Sequence, residues 1–332
     1  MPPKVSALVI NWNGRHLIGR CLSALLASDY PDLEVIVLDC GSRDDSCPFI
    51  QARFPEVRLV SFPTDPLPDY AYNFGAGIAQ GEYLLLMNND CLVEPNTVSR
   101  LAACLARDER KVVVPLEVDW QGREVNWRGA YHLALPVYLL LRLLGRPPAS
   151  QGGPFIASIA CAMLTREAIR EVPANPHIGF YEELEWFWRF RLRGISVLLC
   201  REARCHHKGA ATAGPTTKAA YYAGRNVLAA HYICLDGVSL VLFGPALAAY
   251  AVLKMLAYLF SGRFAHLAAF ARGLADLARQ REHFRADRRA VQSDRLMSDA
   301  GILAEMLNSC AEAHARSGLT TGAWVRKLLR DA

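Results

Sequence analysis

The strongest constraint on the fold is an alternation, over the first 115 residues, between short apolar runs and segments with apolar side chains at helical spacing. Runs of strand length cover residues 5–10, 33–38, 57–60, 83–87 and 112–114. In the first helical segment Leu17, Cys21 and Leu25 recur every four residues. Strands that alternate with helices are typical of β-α-β units, so we predict an α/β fold with a mostly parallel sheet.

Polar clusters follow three of these runs, at residues 11–14, 39–42 and 88–90. Ligands of open α/β sheets bind beyond the carboxyl ends of the strands, so three polar loops at one edge predict a binding site there. The chain has no G-x-G-x-x-G motif after its first run and no G-x-x-x-x-G-K-[ST] motif. Their absence disfavours a dinucleotide-dependent dehydrogenase and a P-loop NTPase.

Composition and charge exclude further classes. Hydrophobic residues make up 52% of the 332 residues, which allows a sizeable core and excludes intrinsic disorder. The net charge of +5 is too small for a dedicated nucleic-acid-binding protein, so we expect no nucleic acid partner.

None of the ten cysteines forms a C-x-x-C pair, and we expect no secretory leader, which together predict reduced thiols in the cytoplasm. A zinc site at 200–207 is disfavoured because no second ligand pair accompanies it.

The C-terminal third has a different pattern. Residues 238–260 form an apolar stretch whose only charge is Lys254 and which Gly244 and Pro245 interrupt. Its length is about what a membrane span needs, and the interruption leaves a buried or interfacial helical hairpin as an alternative. The basic helical tract that follows, 263–289, suits an interfacial helix on anionic lipid. An ordinary amphipathic helix packed on the catalytic domain is the structural alternative.

Several side chains have both a functional and a structural interpretation. Asp90 ends an apolar run and could hold Mg²⁺ or Mn²⁺, or it could cap the next helix. Asp39 could cap a helix or accept hydrogen bonds from a base or ribose, and Trp12 could stack on a base or belong to the core. Three glutamates could include a general base or could simply form a solvated helix face: Glu182, Glu183 and Glu185. His206 and His207 could include a metal ligand or could be ordinary surface residues.

The order of the motifs is more specific than any single residue. The chain carries Val-Ile-Asn-Trp-Asn-Gly at 9–14, Val-Ile-Val-Leu-Asp-Cys-Gly-Ser at 35–42 and a longer run, ending Leu-Met-Asn-Asn-Asp, at 73–90. An acidic motif (180–189), a histidine segment (203–209) and a Tyr-x-x-x-Arg-Asn element (221–226) follow. Together they closely resemble the family 2 inverting glycosyltransferases, most of all the branch that includes bacterial rhamnosyltransferases. The resemblance covers roughly residues 4–230.

This resemblance implies a GT-A fold, which is Rossmann-like with a mostly parallel sheet. The implied domains are a nucleotide-sugar-binding half (1–115), an acceptor-binding and catalytic half (116–235) and a helical C-terminal extension (236–332). The implied activity is metal-dependent, inverting transfer of a sugar from a nucleotide-sugar donor to a hydroxyl of a glycan or lipid-linked acceptor in cell-envelope polysaccharide synthesis. The implied place is the cytoplasmic face of the bacterial inner membrane, since many relatives act on envelope acceptors there.

The resemblance also assigns donor-binding residues. Trp12 matches the position that lies against the nucleobase, and Asp39 matches the carboxylate that accepts hydrogen bonds from it. The other donor-binding positions that it implies are Asn13, Gly41, Ser42, Asn73 and Asn89.

For the chemical step, the resemblance assigns a metal site and a base. Asp90 matches the last acid of the family's Asp-x-Asp motif and would hold a divalent cation, Mg²⁺ or Mn²⁺. His207 matches the metal-site histidine, with His206 as the alternative. Glu183 matches the catalytic base, and Glu182 stands beside it.

Two departures from the family pattern motivate a rival interpretation. Asn88 replaces the first acid of Asp-x-Asp, and Glu183 stands where the family has aspartate. The extra methylene shifts the carboxylate by about 1 Å, and a misplacement of that size costs on the order of 100-fold in rate. The rival is a catalytically silent nucleotide-sugar-binding scaffold in a polysaccharide assembly complex.

Overall fold

A computed structural model describes residues 2–64, 66, 68–123, 155–179, 182–208 and 216–306. These residues divide into two compact units. The first unit contains the described parts of 1–126, 157–179 and 195–211, and the second those of 127–156, 180–194 and 212–332. The acidic motif and the C-terminal helices therefore belong to one unit, and the strands of the described ranges belong to the other.

The first unit is built on an eight-stranded mixed sheet. Its strands are β1 (Val5–Asn11), β2 (Leu33–Asp39), β3 (Arg58–Ser61), β4 (Tyr83–Asn88), β5 (Cys91–Val93), β6 (Lys111–Val118), β7 (Cys161–Thr165) and β8 (Ser196–His207). The order across the sheet is β3-β2-β1-β4-β7-β6-β8-β5. The first four strands are parallel, β7 runs antiparallel between β4 and β6, and β5 pairs antiparallel with β8. The five strands predicted in the first 115 residues are confirmed, and β5 is an additional one.

Helices cover this sheet because their apolar residues repeat at helical spacing. They are α1 (Arg15–Leu26), α2 (Ser46–Arg53), α3 (Pro68–Ile78), α4 (Thr97–Leu105) and α5 (Arg166–Glu171). All seven residues of β1 are buried, as expected for a parallel strand that is covered on both faces. Helix α3 approaches the sheet closely at Gly75, where an added Cβ would lie 2.8 Å from a methyl group of Leu38.

The second unit is helical in its described part. Its helices are α6 (Glu182–Leu192), α7 (Thr217–Cys234), α8 (Gly237–Phe260), α9 (Phe264–Arg279) and α10 (Arg281–Asp294). Side-chain caps mark two of the starts: Thr216 accepts from the Ala219 amide at 3.1 Å, and Asp236 accepts from the Ser239 amide at 2.7 Å. Helix α8 is continuous through Pro245, so the interpretation of 238–260 as a hairpin is wrong.

Two glycines let α7 and α9 cross at close range. An added Cβ on Gly224 would lie 2.5 Å from the carbonyl oxygen of Phe270. A Cβ on Gly273 would lie only 2.1 Å from the carbonyl oxygen of Tyr221. Both obstacles are backbone atoms, which cannot move aside as the end of a flexible side chain can. The packing of these two helices therefore requires glycine at both positions.

We expect Gly273→Ala to destabilise the second unit by about 1–3 kcal/mol or more, because the methyl group forces the two backbones apart. The matched control is Gly244→Ala in α8, where nothing lies within 4 Å of the added Cβ. That change should be neutral or stabilising by up to about 1 kcal/mol. Urea denaturation followed by circular dichroism measures both, and equal midpoints for the two variants would contradict the close helix crossing.

Candidate functional site

The predicted polar clusters meet at one edge of the sheet in the first unit. In the parallel register Asn11 at the end of β1 pairs with Asp39 at the end of β2, and Ile10 pairs with Asn88 of β4. The carboxyl ends of three neighbouring strands therefore lie side by side, as the sequence predicts. We call this edge of the sheet the donor edge.

Asp39 is the centre of a buried hydrogen-bond network at the donor edge. Its side chain is only 1% exposed. Its Oδ1 accepts from Asn11 Nδ2 at 2.7 Å and from the Ser42 hydroxyl at 2.6 Å, and its Oδ2 accepts from the Ser42 amide at 3.0 Å. A buried carboxylate is costly unless donors satisfy it, and these three bonds do so.

The loops after β1 and β2 are fastened to each other. The Asn13 amide donates to the Ser42 hydroxyl at 2.8 Å, and the Arg43 amide donates to Asn13 Oδ1 at 2.8 Å. Asn13 (φ 48°) and Gly41 (φ 71°) both adopt the left-handed backbone conformation. Next to Asn13 in the loop after β1, Trp12 is 51% exposed, as a residue that stacks on a ligand must be.

Asn11 joins the Asp39 network to the third polar cluster. Its Oδ1 accepts a hydrogen bond from Asn89 Nδ2 at 2.7 Å, while its Nδ2 donates to Asp39 Oδ1. Gly14 lies against this contact, and an added Cβ there would lie 1.9 Å from Asn89 Nδ2. No individual role was predicted for Asn11, although an amide at the end of β1 inside the 9–14 motif was the available signal.

A second cluster of polar side chains in the first unit lies at the turn between β4 and β5. The β5–β8 ladder pairs Cys91 with His207 and so brings the histidine beside Asp90, with His207 Nε2 3.2 Å from Asp90 Oδ1. His207 Nδ1 lies 2.6 Å from Glu117 Oε1. Burial alone would lower the pKa of His207, but the hydrogen bonds and charges of Asp90 and Glu117 raise it to about 10. The two carboxylates thus stabilise a positive charge at this point.

Glu117 is a residue that sequence reasoning missed. It lies on β6 opposite Cys205 of β8, on the same sheet face as His207 two residues further along. No motif marks it, because its contact with His207 spans 90 residues of sequence. A carboxylate on the other ring nitrogen is the usual way to orient a metal-binding histidine.

His206 points elsewhere. Its Nε2 lies 3.6 Å from Glu94, and the β5–β8 register places it opposite Leu92. Neighbouring residues of a strand face opposite sides, so only one of the two histidines can meet Asp90. That residue is His207, as the resemblance had favoured.

The donor set at Asp90 and His207 fits Mg²⁺ or Mn²⁺. The carboxylate oxygen suits both ions, whereas the imidazole nitrogen favours the more borderline Mn²⁺ over the hard Mg²⁺. The Cys91 thiol is also near enough to count among possible ligand atoms, but it is buried and donates to the Ala160 carbonyl at 3.1 Å. The residues present therefore match a hard or borderline divalent cation.

The predicted bases lie on α6, in the second unit. Glu183 is half-buried. Glu185 is fully buried with an oxygen 2.6 Å from Arg189 Nε, so the structure assigns it to an internal ion pair. The side chain of Glu182 lies outside the described residues. Of the acidic motif, Glu182 and Glu183 remain as predicted bases.

Asn73 has a structural use in the first unit. Its Nδ2 donates to the Ala174 carbonyl, and its Oδ1 accepts from the Ala174 amide, both at 2.8 Å. The side chain therefore connects α3 to the loop after α5. Its predicted donor contact stays a prediction.

The family model described as "Glycosyl transferase family 2" matches residues 6–172, which is half of the chain. The chain belongs to glycosyl transferase family 2. The matched segment contains the donor edge together with Asp90 and Glu117. The predicted family is thereby confirmed, while its rhamnosyltransferase-like branch stays a prediction.

Curated relatives of this family 2 chain are distant. A "PGL/p-HBAD biosynthesis glycosyltransferase" of Mycobacterium bovis is 27% identical over 135 residues, which are 40% of this chain and 53% of the relative. The "Succinoglycan biosynthesis protein ExoO" of Rhizobium meliloti is 31% identical over 101 residues, 30% of this chain and 29% of the relative. The chain thus spans about half of the mycobacterial relative.

Solved structures confirm the GT-A fold of the family 2 chain. The mannosyltransferase PcManGT from Pyrobaculum calidifontis, in complex with GDP-Man and Mn²⁺, has a TM-score of 0.53 at 18% identity, covering 95% of this chain and 87% of its own. S. aureus TarS 1–349 has a TM-score of 0.53 at 14% identity, covering 96% and 93%. At these identities the likeness concerns the fold alone.

Proposed function

We propose that this family 2 chain is a metal-dependent inverting glycosyltransferase. It would move a sugar from a nucleotide-sugar donor to a hydroxyl of a glycan or lipid-linked acceptor during cell-envelope polysaccharide synthesis. The observation that carries the proposal is that Asp39 and Asp90 lie at the same sheet edge, each with a dedicated set of partners. The two relatives described above are named for PGL/p-HBAD biosynthesis and for succinoglycan biosynthesis, which agrees with this class of acceptor.

Donor binding would use side chains at the donor edge that can contact a ligand. The exposed Trp12 indole offers a surface for a nucleobase, and the Asp39 carboxylate is the kind of acceptor that suits a base N–H. Asn89 would face the ribose or a phosphate beside these two groups. Asn13, Gly41 and Ser42 hold the two loops in place. The neighbours solved with GDP-Man or UDP support a nucleotide-sugar donor.

Asp90 and His207 would hold the divalent cation, and Glu117 would orient the imidazole. A bound Mg²⁺ or Mn²⁺ supplies charge neutralisation for a leaving diphosphate. Neighbours solved with Mn²⁺ agree with this choice of ion. The protein contributes a fixed arrangement of ligands that does not have to reorganise during transfer.

Glu183 would accept the proton of the acceptor hydroxyl as its oxygen attacks the anomeric carbon. Attack from the face opposite the leaving diphosphate inverts the configuration in one displacement, so one base suffices. Glu185 cannot serve, because it is buried against Arg189. Glu182 is the alternative base.

The test of the proposal is turnover by the purified chain with Mn²⁺ and a panel of nucleotide sugars. Transfer, or slow donor hydrolysis, releases a nucleoside diphosphate that anion-exchange chromatography detects. Specific donor binding, measured as a raised Tm, without any release of nucleoside diphosphate would favour the silent scaffold over the enzyme.

We also propose that α8 attaches the protein to the cytoplasmic face of the bacterial inner membrane. It is the one helix of the described ranges that is long and apolar enough to cross a membrane. Its 24 residues extend about 36 Å. Only 22% of its most apolar segment is buried within the protein.

The exposed face of α8 is apolar, whereas the exposed face of a helix in a water-soluble protein is usually polar. Its exposed face carries aliphatic and aromatic residues, such as Val241 (77% exposed), Val252 and Phe260 (82% exposed). Its only charged residue, Lys254, is fully buried with its ammonium group over the ring of Tyr258. Residues from Ser239 to Tyr258 are buried along the other face, so the helix is packed along its length. This arrangement favours a helix that lies in the membrane surface over one that spans the bilayer.

Introducing negative charge on the exposed face of α8 should release the protein from membranes. We expect the double variant Val241→Glu/Val252→Glu to lose most of its sedimentation with vesicles that contain anionic phospholipid. The control is Leu296→Glu, which introduces one negative charge at an exposed leucine outside α8. Equal sedimentation of wild type and double variant would contradict the attachment, and a wild type that stays in solution as a dimer would assign the face to a second copy.

A further inference from the structure

Two buried cysteines of the first unit lie in unusually close contact. Cys104 is at the end of α4 and Cys200 lies in β8, 96 residues further along the chain. Their sulfur atoms are 2.7 Å apart, and the residues are 9% and 2% exposed. Neither thiol is among the residues to which we assign donor or metal binding, so the proposed function does not explain their juxtaposition.

A metal ion is a poor explanation for this pair. The carboxylate of Glu202 lies near both sulfurs and would complete a set of three possible ligands. Two thiolates on one tetrahedral Zn²⁺, each at about 2.3 Å, are however about 3.8 Å apart. The observed separation is about 1 Å shorter than that and only about 0.7 Å longer than a sulfur–sulfur bond. The distance favours a covalent bond between the sulfurs over a shared metal.

The surrounding backbone already brings α4 and β8 together at this point. The β6–β8 register shifts here, since Pro115 pairs with Cys200 but Leu116 pairs with Arg204. The bulged part of β8 is fastened to α4 by the Thr97 hydroxyl, which donates to the Arg204 carbonyl at 2.6 Å. A bond between Cys104 and Cys200 would join the same two elements without moving either far.

We propose that Cys104 and Cys200 form a reversible disulfide by exchange with a low-molecular-weight disulfide such as oxidised glutathione. The Cys104 thiolate attacks one sulfur of that oxidant, forms a mixed disulfide and releases one glutathione thiolate. The Cys200 thiolate then attacks the Cys104 sulfur, which closes the protein disulfide and releases the second glutathione. The protein loses two electrons and two protons, and the oxidant gains them as two thiols.

Accessibility sets the order of these steps. Cys104 is the more exposed of the two residues and meets the oxidant first. Burial and the hydrogen bond with Cys104 raise the pKa of Cys200 to about 12, so its thiolate is scarce. Closure therefore depends on the proximity of the two sulfurs more than on an activated thiol, and we expect it to take minutes to hours.

The cross-link would act on the strand that carries the proposed metal ligand. β8 continues from the bulge into its pairing with β5 and ends at His207. Joining α4 to β8 closes a long loop and restricts the unfolded chain, which raises stability. We therefore expect the oxidised protein to have a Tm higher by about 5 °C or more than the reduced protein.

The experiment compares wild type with three single variants. Each folded protein is incubated with oxidised glutathione, its remaining thiols are alkylated, and the peptides are identified by mass spectrometry without reduction. Wild type should lose two of its ten thiols and yield one cross-linked peptide that joins Cys104 to Cys200, and dithiothreitol should reverse both changes. Cys104→Ser and Cys200→Ser should each abolish the cross-link. The matched control Cys47→Ser, at a half-exposed thiol whose partner is the Ser61 hydroxyl, should keep it.

Two results would overturn the proposal, and neither depends on a variant that folds. One is wild type that retains both thiols, or only mixed disulfides with glutathione, after prolonged oxidation. The other is wild type that contains one equivalent of tightly bound zinc whose removal alone exposes Cys104 and Cys200 to alkylation.

Discussion

Replacing Glu183 by glutamine is expected to lower the rate of sugar transfer roughly 10²- to 10⁴-fold while donor affinity stays unchanged. Glutamine keeps the size and the hydrogen-bonding capacity of the side chain but cannot accept a proton. Donor affinity is preserved because the donor-binding groups belong to the first unit, whereas Glu183 lies on α6 of the second. Single-turnover kinetics and a nucleotide titration separate the two quantities.

The neighbouring residue provides the matched control for this prediction. Glu182→Gln makes the same chemical change one position earlier on α6 and should leave the rate within a few fold of wild type. If Glu182→Gln loses the activity and Glu183→Gln keeps it, the base is Glu182. If both variants transfer sugar as wild type does, neither residue is the base. Glu183→Asp restores the family's usual residue, and a faster rate would show that the extra methylene slows this chain.

The first half of the sheet can be predicted because each of its strands is marked by a pattern within a short stretch of sequence. Strands β1, β2 and β4 are predominantly apolar runs, and each ends in a polar cluster. Parallel β-α-β connections place those ends at one edge whatever the remaining strands do. The meeting of Asn11, Asp39 and Asn89 therefore follows from pattern and topology alone.

The second half of the sheet depends on pairings that no local pattern reveals. β8 lies between β6 and β5, and this order brings His207 to Asp90 and Glu117. The resemblance supplied two of these three residues because they stand in family motifs. Glu117 stands in none, and its partner is distant in sequence, so only the strand order could identify it.

The C-terminal third shows how packing overrides a local signal. Proline inside a helix removes one hydrogen bond and costs about 3 kcal/mol, which is why Gly244 and Pro245 suggested a break. Helix α8 nevertheless continues, because apolar residues before and after the proline, such as Phe243 and Leu247, are buried on the same face. The sequence also could not reveal that Lys254 faces inward, since the stretch is apolar on all sides and has no polar face to orient it.

Replacing Asp90 by alanine is expected to abolish metal-dependent nucleotide binding and leave the fold intact. Losing an outer partner of a metal ligand costs about 10- to 100-fold in affinity, so losing the ligand itself should cost more than about 100-fold. The fold should survive because Asp90 lies between β4 and β5, outside both strands and at the edge of the core. Titration of Mn²⁺ with and without a nucleoside diphosphate measures the loss, and thermal unfolding without added metal checks the fold.

Two further variants turn this result into a test of the geometry. Glu117→Gln keeps a hydrogen-bonding group near His207 but removes its charge, and should weaken Mn²⁺ binding by about 10- to 100-fold without abolishing it. His206→Ala removes the adjacent histidine, whose side chain lies beside Glu94, and should leave Mn²⁺ affinity unchanged. The expected order of Mn²⁺ affinity is therefore wild type and His206→Ala, then Glu117→Gln, then Asp90→Ala. A loss in His206→Ala as large as in Asp90→Ala would instead assign the metal to the opposite side of β8, and equal binding by Asp90→Ala and wild type would remove Asp90 from the site.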